Sequence, residues 1–318
     1  MFYSLLKIYG RLALKIYCPR LVVSNPQLLQ TGGPLLLAAN HPNSFLDGMI
    51  LTTLFDQPVY SLARGDAFAY RPVKKVLHWL RLLPVYRTTE GIGNLGHNYT
   101  TFETCRLAFQ RKAVVLIFSE AGSANEWHLR PLRKGTGRLA VSSWQQGIPL
   151  KVLPVALNYH SFKSFGKAVH LYFGEFIEAH QVMDEPTHGK QLLAFNACLL
   201  PQLQQAVYEI PPGDRQALVN RFPPLPAAEA ALLLLPALAG ALLHLPLYVG
   251  CKLFSLLFFR RSDHYDSVLT ALLVLVYPFY LLLAAALLFS VYPPLALACL
   301  LLPLLAWAFT RLKSGWVY

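Results

Sequence analysis

Residues 32–48 read Gly-Gly-Pro-Leu-Leu-Leu-Ala-Ala-Asn-His-Pro-Asn-Ser-Phe-Leu-Asp-Gly. The run Pro34 to Ala39 is short, apolar and unbroken, the pattern of a strand buried on both faces. It stops abruptly at Asn40 and His41. Asn and Ser favour helix caps and proline favours the first helical turn, so Pro42, Asn43 and Ser44 predict a helix start. Asp47 falls in that helix's first turn, where a carboxylate complements the helix dipole. A strand that feeds a helix through a tight polar turn is the unit of an α/β layer. Here the turn also carries a histidine and, six positions on, an aspartate.

The same alternation continues outward. Strands are expected at 34–39, 58–63, 83–87, 113–118, 151–159 and 168–174. Helical spacing fills 71–82, 99–112, 136–147 and 187–209. The expected fold is therefore α/β: a mixed, mostly parallel sheet covered by helices. Ligands in such sheets sit beyond the carboxyl ends of the strands. Both Asn40–Gly48 and the stretch Ser119–Glu126 (SEAGSANE) occupy that position.

Composition adds a second region. The chain has 318 residues, 55% hydrophobic and only 14% charged, with a net charge of +12 and a mean hydropathy of +0.40. That points to a membrane. The positive charge is scattered, without the interleaved basic and aromatic residues of a nucleic-acid face, so no nucleic-acid partner is expected. The cysteines (Cys18, Cys105, Cys198, Cys251, Cys299) are far apart, which argues against a disulfide framework or zinc site. No metal-ligand spacing and no phosphate-cradling glycine loop of the nucleotide-binding kind is present, so neither metal nor bound cofactor is expected.

Three segments follow. Residues 1–20 place Lys7, Arg11 and Lys15 on one helical face among apolar residues, which predicts an amphipathic helix on the bilayer surface. Residues 21–222 hold the α/β domain, closed by the proline-rich joint around 210–226. Residues 223–318 are the membrane region. Ala230 to Cys251 and Ser267 to Thr310 contain no Lys, Arg, Asp or Glu. The second run suits a transmembrane hairpin (267–310) broken at Val291–Leu295 (VYPPL). The first run, interrupted by Pro236, Gly240, Pro246 and Gly250, reads as a re-entrant segment (230–251), with a third full span as the alternative. Basic residues after each run place the catalytic-looking domain on the cytoplasmic face of an integral membrane protein. His244 reads as a neutral packed histidine, and Glu229 and Asp266 as water-exposed ends of apolar runs.

Other charged residues stand at strand ends. Arg87 closes one strand (LPVYRTTEG) and Glu120 another (IFSEAGS). Arg130, Arg133 and Lys134 (LRPLRKGTGRLA) precede a helix start, a favourable location for an anion. A base, a carboxylate and several cations together fit group transfer onto a polar acceptor that bears negative charge.

The ordered blocks NHPNSFLD, LLPVYRTTEG, VVLIFSEAGS and IPLKVLPVAL, with VHLYFGEFI after them, resemble the glycerolipid acyltransferase superfamily over roughly residues 30–180. That superfamily includes the glycerol-3-phosphate and 1-acylglycerol-3-phosphate acyltransferases. The resemblance implies a glycerol-3-phosphate acyltransferase-like fold and O-acyl transfer in phospholipid biosynthesis. An acyl group would pass from acyl-CoA or acyl carrier protein, as co-substrate, to a hydroxyl of glycerol-3-phosphate or a lysophospholipid such as lysophosphatidate. His41 would be the general base, oriented by Asp47. Arg87 and Lys134 would contact phosphate. Glu120 would either bond the acceptor's glycerol hydroxyls or orient its loop. Gly122, Ser123 and Arg133 would complete the substrate-binding set. Two departures stand out. Five residues rather than four separate His41 from Asp47, so His41 must sit in the turn with Asp47 reaching back from the helix. Ser123 stands where the third block usually has Arg, so Arg130, Arg133 or Lys134 would replace that phosphate contact. The same gap raises a lyso-aminolipid acceptor, such as lyso-ornithine lipid, as the alternative. A non-catalytic lipid-binding scaffold is the lesser one.

Overall fold

The computed structural model describes residues 2–86, 96–259 and 265–316. An N-terminal helix, α1 (Phe2–Tyr17), leads into β1 (Arg20–Val23) and β2 (Leu35–Ala39). Then come α2 (Ser44–Leu54), β3 (Val59–Arg64), α3 (Arg71–Trp79), β4 (Leu82–Val85), α4 (His97–Gln110) and β5 (Val114–Phe118). The domain continues through α5 (Gly135–Gln145), β6 (Lys151–Tyr159), β7 (Ala168–Phe173), α6 (His188–Ala206) and α7 (Arg215–Arg221).

The seven strands form one sheet in the order β1-β7-β6-β2-β5-β3-β4. Neighbours are parallel except β6 and β7. This is the mixed, mostly parallel sheet that the alternation predicts. β2 lies between β6 and β5, and every one of its residues is buried. Leu36 and Ala38 pack with Phe109, Leu139 and Phe195 of α4, α5 and α6. Leu35, Leu37 and Ala39 pack on the opposite face with Leu14, Ile50 and Phe55. Cover on both faces is why this strand has no polar alternation.

Two elements differ from the sequence reading. β1 is only four residues long and exists through its pairing with β7, which no local pattern announces. α7 lies within the proline-rich joint, capped by the Asp214 carboxylate on the Ala217 N–H at 2.9 Å. α1 also packs more than its amphipathic pattern suggests. Leu14 and Tyr17 are buried in the core, and Lys7 and Arg11 donate to carbonyls at the end of α2. Leu5, Ile8 and Leu12 remain exposed.

Three long apolar helical stretches follow the domain: α8 (Ala227–Phe259), α9 (Tyr265–Val291) and Pro293–Lys313. The last is a 3-10 segment (Pro293–Leu301) joined to α10 (Leu302–Lys313). The break between α9 and this stretch falls at Tyr292, within the VYPPL stretch. Residues 230–251, expected to turn back, are helical throughout and lie inside α8, across Pro236 and Pro246. That helix is bent. Glu229 pairs with Arg311 at 2.7 Å, while Tyr248 lies beneath the Lys313 ammonium at 5.9 Å. A straight helix would separate Glu229 from Tyr248 by about 28 Å, yet both meet the last turn of α10. Internal prolines, which remove backbone donors, are the ordinary cause of such a bend.

Candidate active site

The site begins where β2 stops. Asn40 replaces the next rung of the ladder with its side chain: its amide accepts from Leu157 N at 2.8 Å and donates to Leu157 O at 3.1 Å. That bond lets the backbone leave the sheet while still anchored to β6. His41 follows in the turn, and Asp47 lies in the first turn of α2. The Asp47 Oδ2 is 2.8 Å from His41 Nδ1. The pair therefore meets as the spacing requires, with the carboxylate reaching back from the helix.

Asp47 is fully buried and saturated with donors. Its Oδ2 also accepts from Asn43 N at 2.7 Å, and its Oδ1 from the Tyr159 hydroxyl at 2.6 Å. A carboxylate only accepts, so the Nδ1 facing it carries the proton and Nε2 keeps its lone pair. Nε2 makes no hydrogen bond among the described residues. The ring is held flat against Phe118, with centroids 3.7 Å apart and planes 9° from parallel. Its side chain is 15% exposed, so a substrate can reach it.

Glu120, just beyond β5, ties the two loops together. Its Oε2 accepts from His41 N at 2.8 Å and its Oε1 from Arg130 N at 2.9 Å. Burial pushes its carboxyl up to about 7, against the opposing effect of the Arg130 and His41 N–H groups. Of the two roles expected for Glu120, orienting the loop is the one this geometry builds. Two residues here hold left-handed backbone without being glycine, Ser44 at φ +46° and Ala121 at φ +54°. Such conformations cost energy and persist only where the surroundings fix them.

The cations are placed unevenly. Arg130 leans on Glu126 at 3.4 Å. Arg133 and Lys134 are exposed at the start of α5 and form no ion pair among the described residues. Arg133 is fixed through its backbone, N to Ser119 O at 2.7 Å. Gly122 and Ser123 are half-buried in the Glu120 loop. Arg87 lies outside the described residues. Among the described residues no cluster of metal-ligating side chains occurs.

Sequence reasoning missed five contributors. Tyr159 and Phe118 close strands and so stand at the correct sheet edge, but a tyrosine or phenylalanine there reads as core. Asn40 and Asn43 read as turn residues. Asp266, expected at a water-exposed helix end, is instead 1% exposed and bonded to Asn43 at 3.0 Å. Nothing in its sequence neighbourhood signals that contact.

A buried carboxylate that holds a reachable histidine at the end of a central strand is an arrangement able to accept a proton from a bound hydroxyl. The acyltransferase family model matches residues 20–158, a little under half of the chain. Among solved structures the chain is similar to the 1-acyl-sn-glycerophosphate (LPA) acyltransferase PlsC from Thermotoga maritima. The identity is 13% and the TM-score 0.45, over 64% of this chain and 78% of that one. No curated protein matches the chain.

Proposed function

We propose that this protein is a membrane-bound O-acyltransferase of glycerolipid synthesis, working from the cytoplasmic face. It moves a fatty acyl group from acyl-CoA or acyl carrier protein to a hydroxyl of glycerol-3-phosphate or lysophosphatidate. The observation that carries this reading is the His41 ring, with Nδ1 bonded to buried Asp47 and Nε2 left open. Nε2 takes the acceptor's hydroxyl proton as the oxygen attacks the thioester carbon. The C–S bond then breaks, and the proton passes from the imidazolium to the departing thiolate. Asp47 stabilises the charged ring throughout, and the substrate supplies its own nucleophile. Arg133 and Lys134, exposed and unpaired among the described residues, suit an acceptor phosphate. The domain-side contacts of Glu229, Tyr248 and Arg311 favour α8 as a segment that enters the bilayer and returns, beside a hairpin of α9 and Pro293–Lys313.

A second reading keeps the chemistry and changes the acceptor to a lyso-aminolipid. Ser123, in place of a phosphate-binding arginine, favours it. The test offers palmitoyl-CoA and palmitoyl-acyl carrier protein to the purified protein with glycerol-3-phosphate, lysophosphatidate or lyso-ornithine lipid. Product with either phosphate acceptor supports the first reading, and product with the aminolipid alone supports the second. Thiol release that no acceptor accelerates would sink both.

A further inference from the structure

A second cluster of buried charge lies behind the catalytic turn. Asp266, the second residue of α9, accepts from the Tyr17 hydroxyl at 2.7 Å and from Asn43 Nδ2 at 3.0 Å. Lys167, on the loop before β7, lies 3.2 Å from the same carboxylate, and both side chains are sealed from solvent at 0% and 1% exposure. Next to Asp266, the Ser267 hydroxyl accepts from Phe45 N at 3.1 Å and reaches Asn43 O at 3.4 Å. Two consecutive residues of an apolar helix thus grip Asn43 and Phe45, on either side of strained Ser44.

We propose that the first turn of α9, Asp266 with Ser267, is a positioning element that holds the Asn43–Phe45 turn, so that the histidine site is complete only when this helix is docked. Asn43 has two other ties that make its position matter. Its N–H bonds the Asp47 oxygen that also faces His41, so moving Asn43 moves the carboxylate that orients the base. Its Oδ1 has no partner among the described residues, so the amide is aimed through Nδ2 alone, and a carboxylate is the acceptor that fixes which way it points.

A buried ion pair is poor evidence for stability, because desolvation offsets the attraction. It does set register. The run from Ser267 to Thr310 holds no Lys, Arg, Asp or Glu, so apolar packing alone leaves α9 free to slide or rotate against the domain. Lys167 admits Asp266 at one position only. The Tyr17 hydroxyl, from α1, closes the same socket.

The kinetic part of this inference rests on the acyl-transfer reading, whereas its structural part does not. The full chain is purified in detergent as wild type and as two combined variants. The apolar variant, Tyr17→Phe/Lys167→Met/Asp266→Leu, removes the charges and the tyrosine hydroxyl together, so no buried charge is stranded. The polar variant, Lys167→Met/Asp266→Asn, keeps an acceptor for Asn43. Hydrogen–deuterium exchange is followed across residues 40–46, with β2 and β6 as internal references. Turnover of palmitoyl-CoA with glycerol-3-phosphate and with lysophosphatidate is measured alongside.

The apolar variant should exchange faster in 40–46 only. Its kcat should fall by about tenfold or more with KM little changed, the signature of a misplaced base. The polar variant should restore both. Unchanged exchange at 40–46 in the apolar variant overturns the proposal. So does faster exchange spread evenly over β2 and β6, or equal loss in both variants. If wild type turns over neither acceptor, the acyl-transfer reading fails, and the exchange data still decide the positioning role.

Discussion

Asp47 shows how much one buried carboxylate organises. Without help its charge would be too costly to bury, and three donors from His41, Asn43 and Tyr159 make its burial tolerable. Changing the carboxylate and changing one of its donors test different functions. Asp47→Asn puts an amide N–H where an acceptor is needed, which favours the wrong histidine tautomer. Turnover should fall by about 10²–10⁴-fold, the range for losing general-base catalysis. Tyr159→Phe removes one of the three donors and leaves His41 and its bond to Asp47 in place. Its turnover should drop far less, with a stability loss of about 1–3 kcal/mol for the partner left unsatisfied. Steady-state kinetics and thermal unfolding of both variants separate these outcomes. A Tyr159→Phe effect on turnover as large as that of Asp47→Asn would contradict the division of roles. At this scale the sequence was partly legible. His41 and Glu120 stand just beyond strand ends, and Asp47 in the helix turn that follows His41, in a recognisable order. Tyr159, Asn40 and Asn43 were not legible, because their partners are 112, 117 and 223 residues away.

At the scale of elements, hydrophobic pattern predicted β2 to β7 and most helices because each pairs a clear period with a turn signal. It overlooked β1, whose four residues depend on β7. The shape of α8 was also beyond local pattern, since prolines mark where a helix can bend but contacts decide how far. One contact is severe: a Cβ on Gly240 would stand 2.1 Å from Leu305 O, closer than any real pair of such atoms. Even alanine therefore forces α8 from α10. Gly240→Ala should cost about 1–3 kcal/mol, the usual range for overpacking. Gly250→Ala, with nothing within 4 Å, serves as the neutral control in the same helix. Unfolding in detergent reads both, and equal midpoints would show that the α8–α10 approach is not needed.

For the molecule as a whole, composition announced a membrane region and an α/β domain but not how firmly they join. Arg20 donates to Ser314 O and Pro223 O, and Arg311 donates to Pro19 O. Together with the Asp266 socket, these bonds make the domain and the helices one body. Acid should loosen it. Burial, with Lys167 next, lowers His160 to about 3, and burial with Arg20 lowers His170 to about 4. Both folded values lie below the ordinary 6.5, so the unfolded chain binds more protons as pH falls. Their stabilisation is fully present above about pH 6.5 and is lost progressively towards pH 3–4. Glu120 acts oppositely: its folded value of about 7 exceeds 4.5, so its contribution falls as pH rises between these values. His160→Asn keeps an acceptor for the Ala168 N–H but cannot charge. It should flatten the acid limb of a stability–pH curve, and an unchanged limb would show that His160 is not titrating there.

In the proposed mechanism His41 takes the acceptor's proton in an acyl transfer. Its most direct measurement is acceptor-dependent thiol release from palmitoyl-CoA by wild type and His41→Ala, both shown folded by thermal unfolding. His41→Ala should lose about 10²–10⁴-fold in turnover, with its unfolding midpoint close to wild type. Undiminished turnover in folded His41→Ala would contradict it.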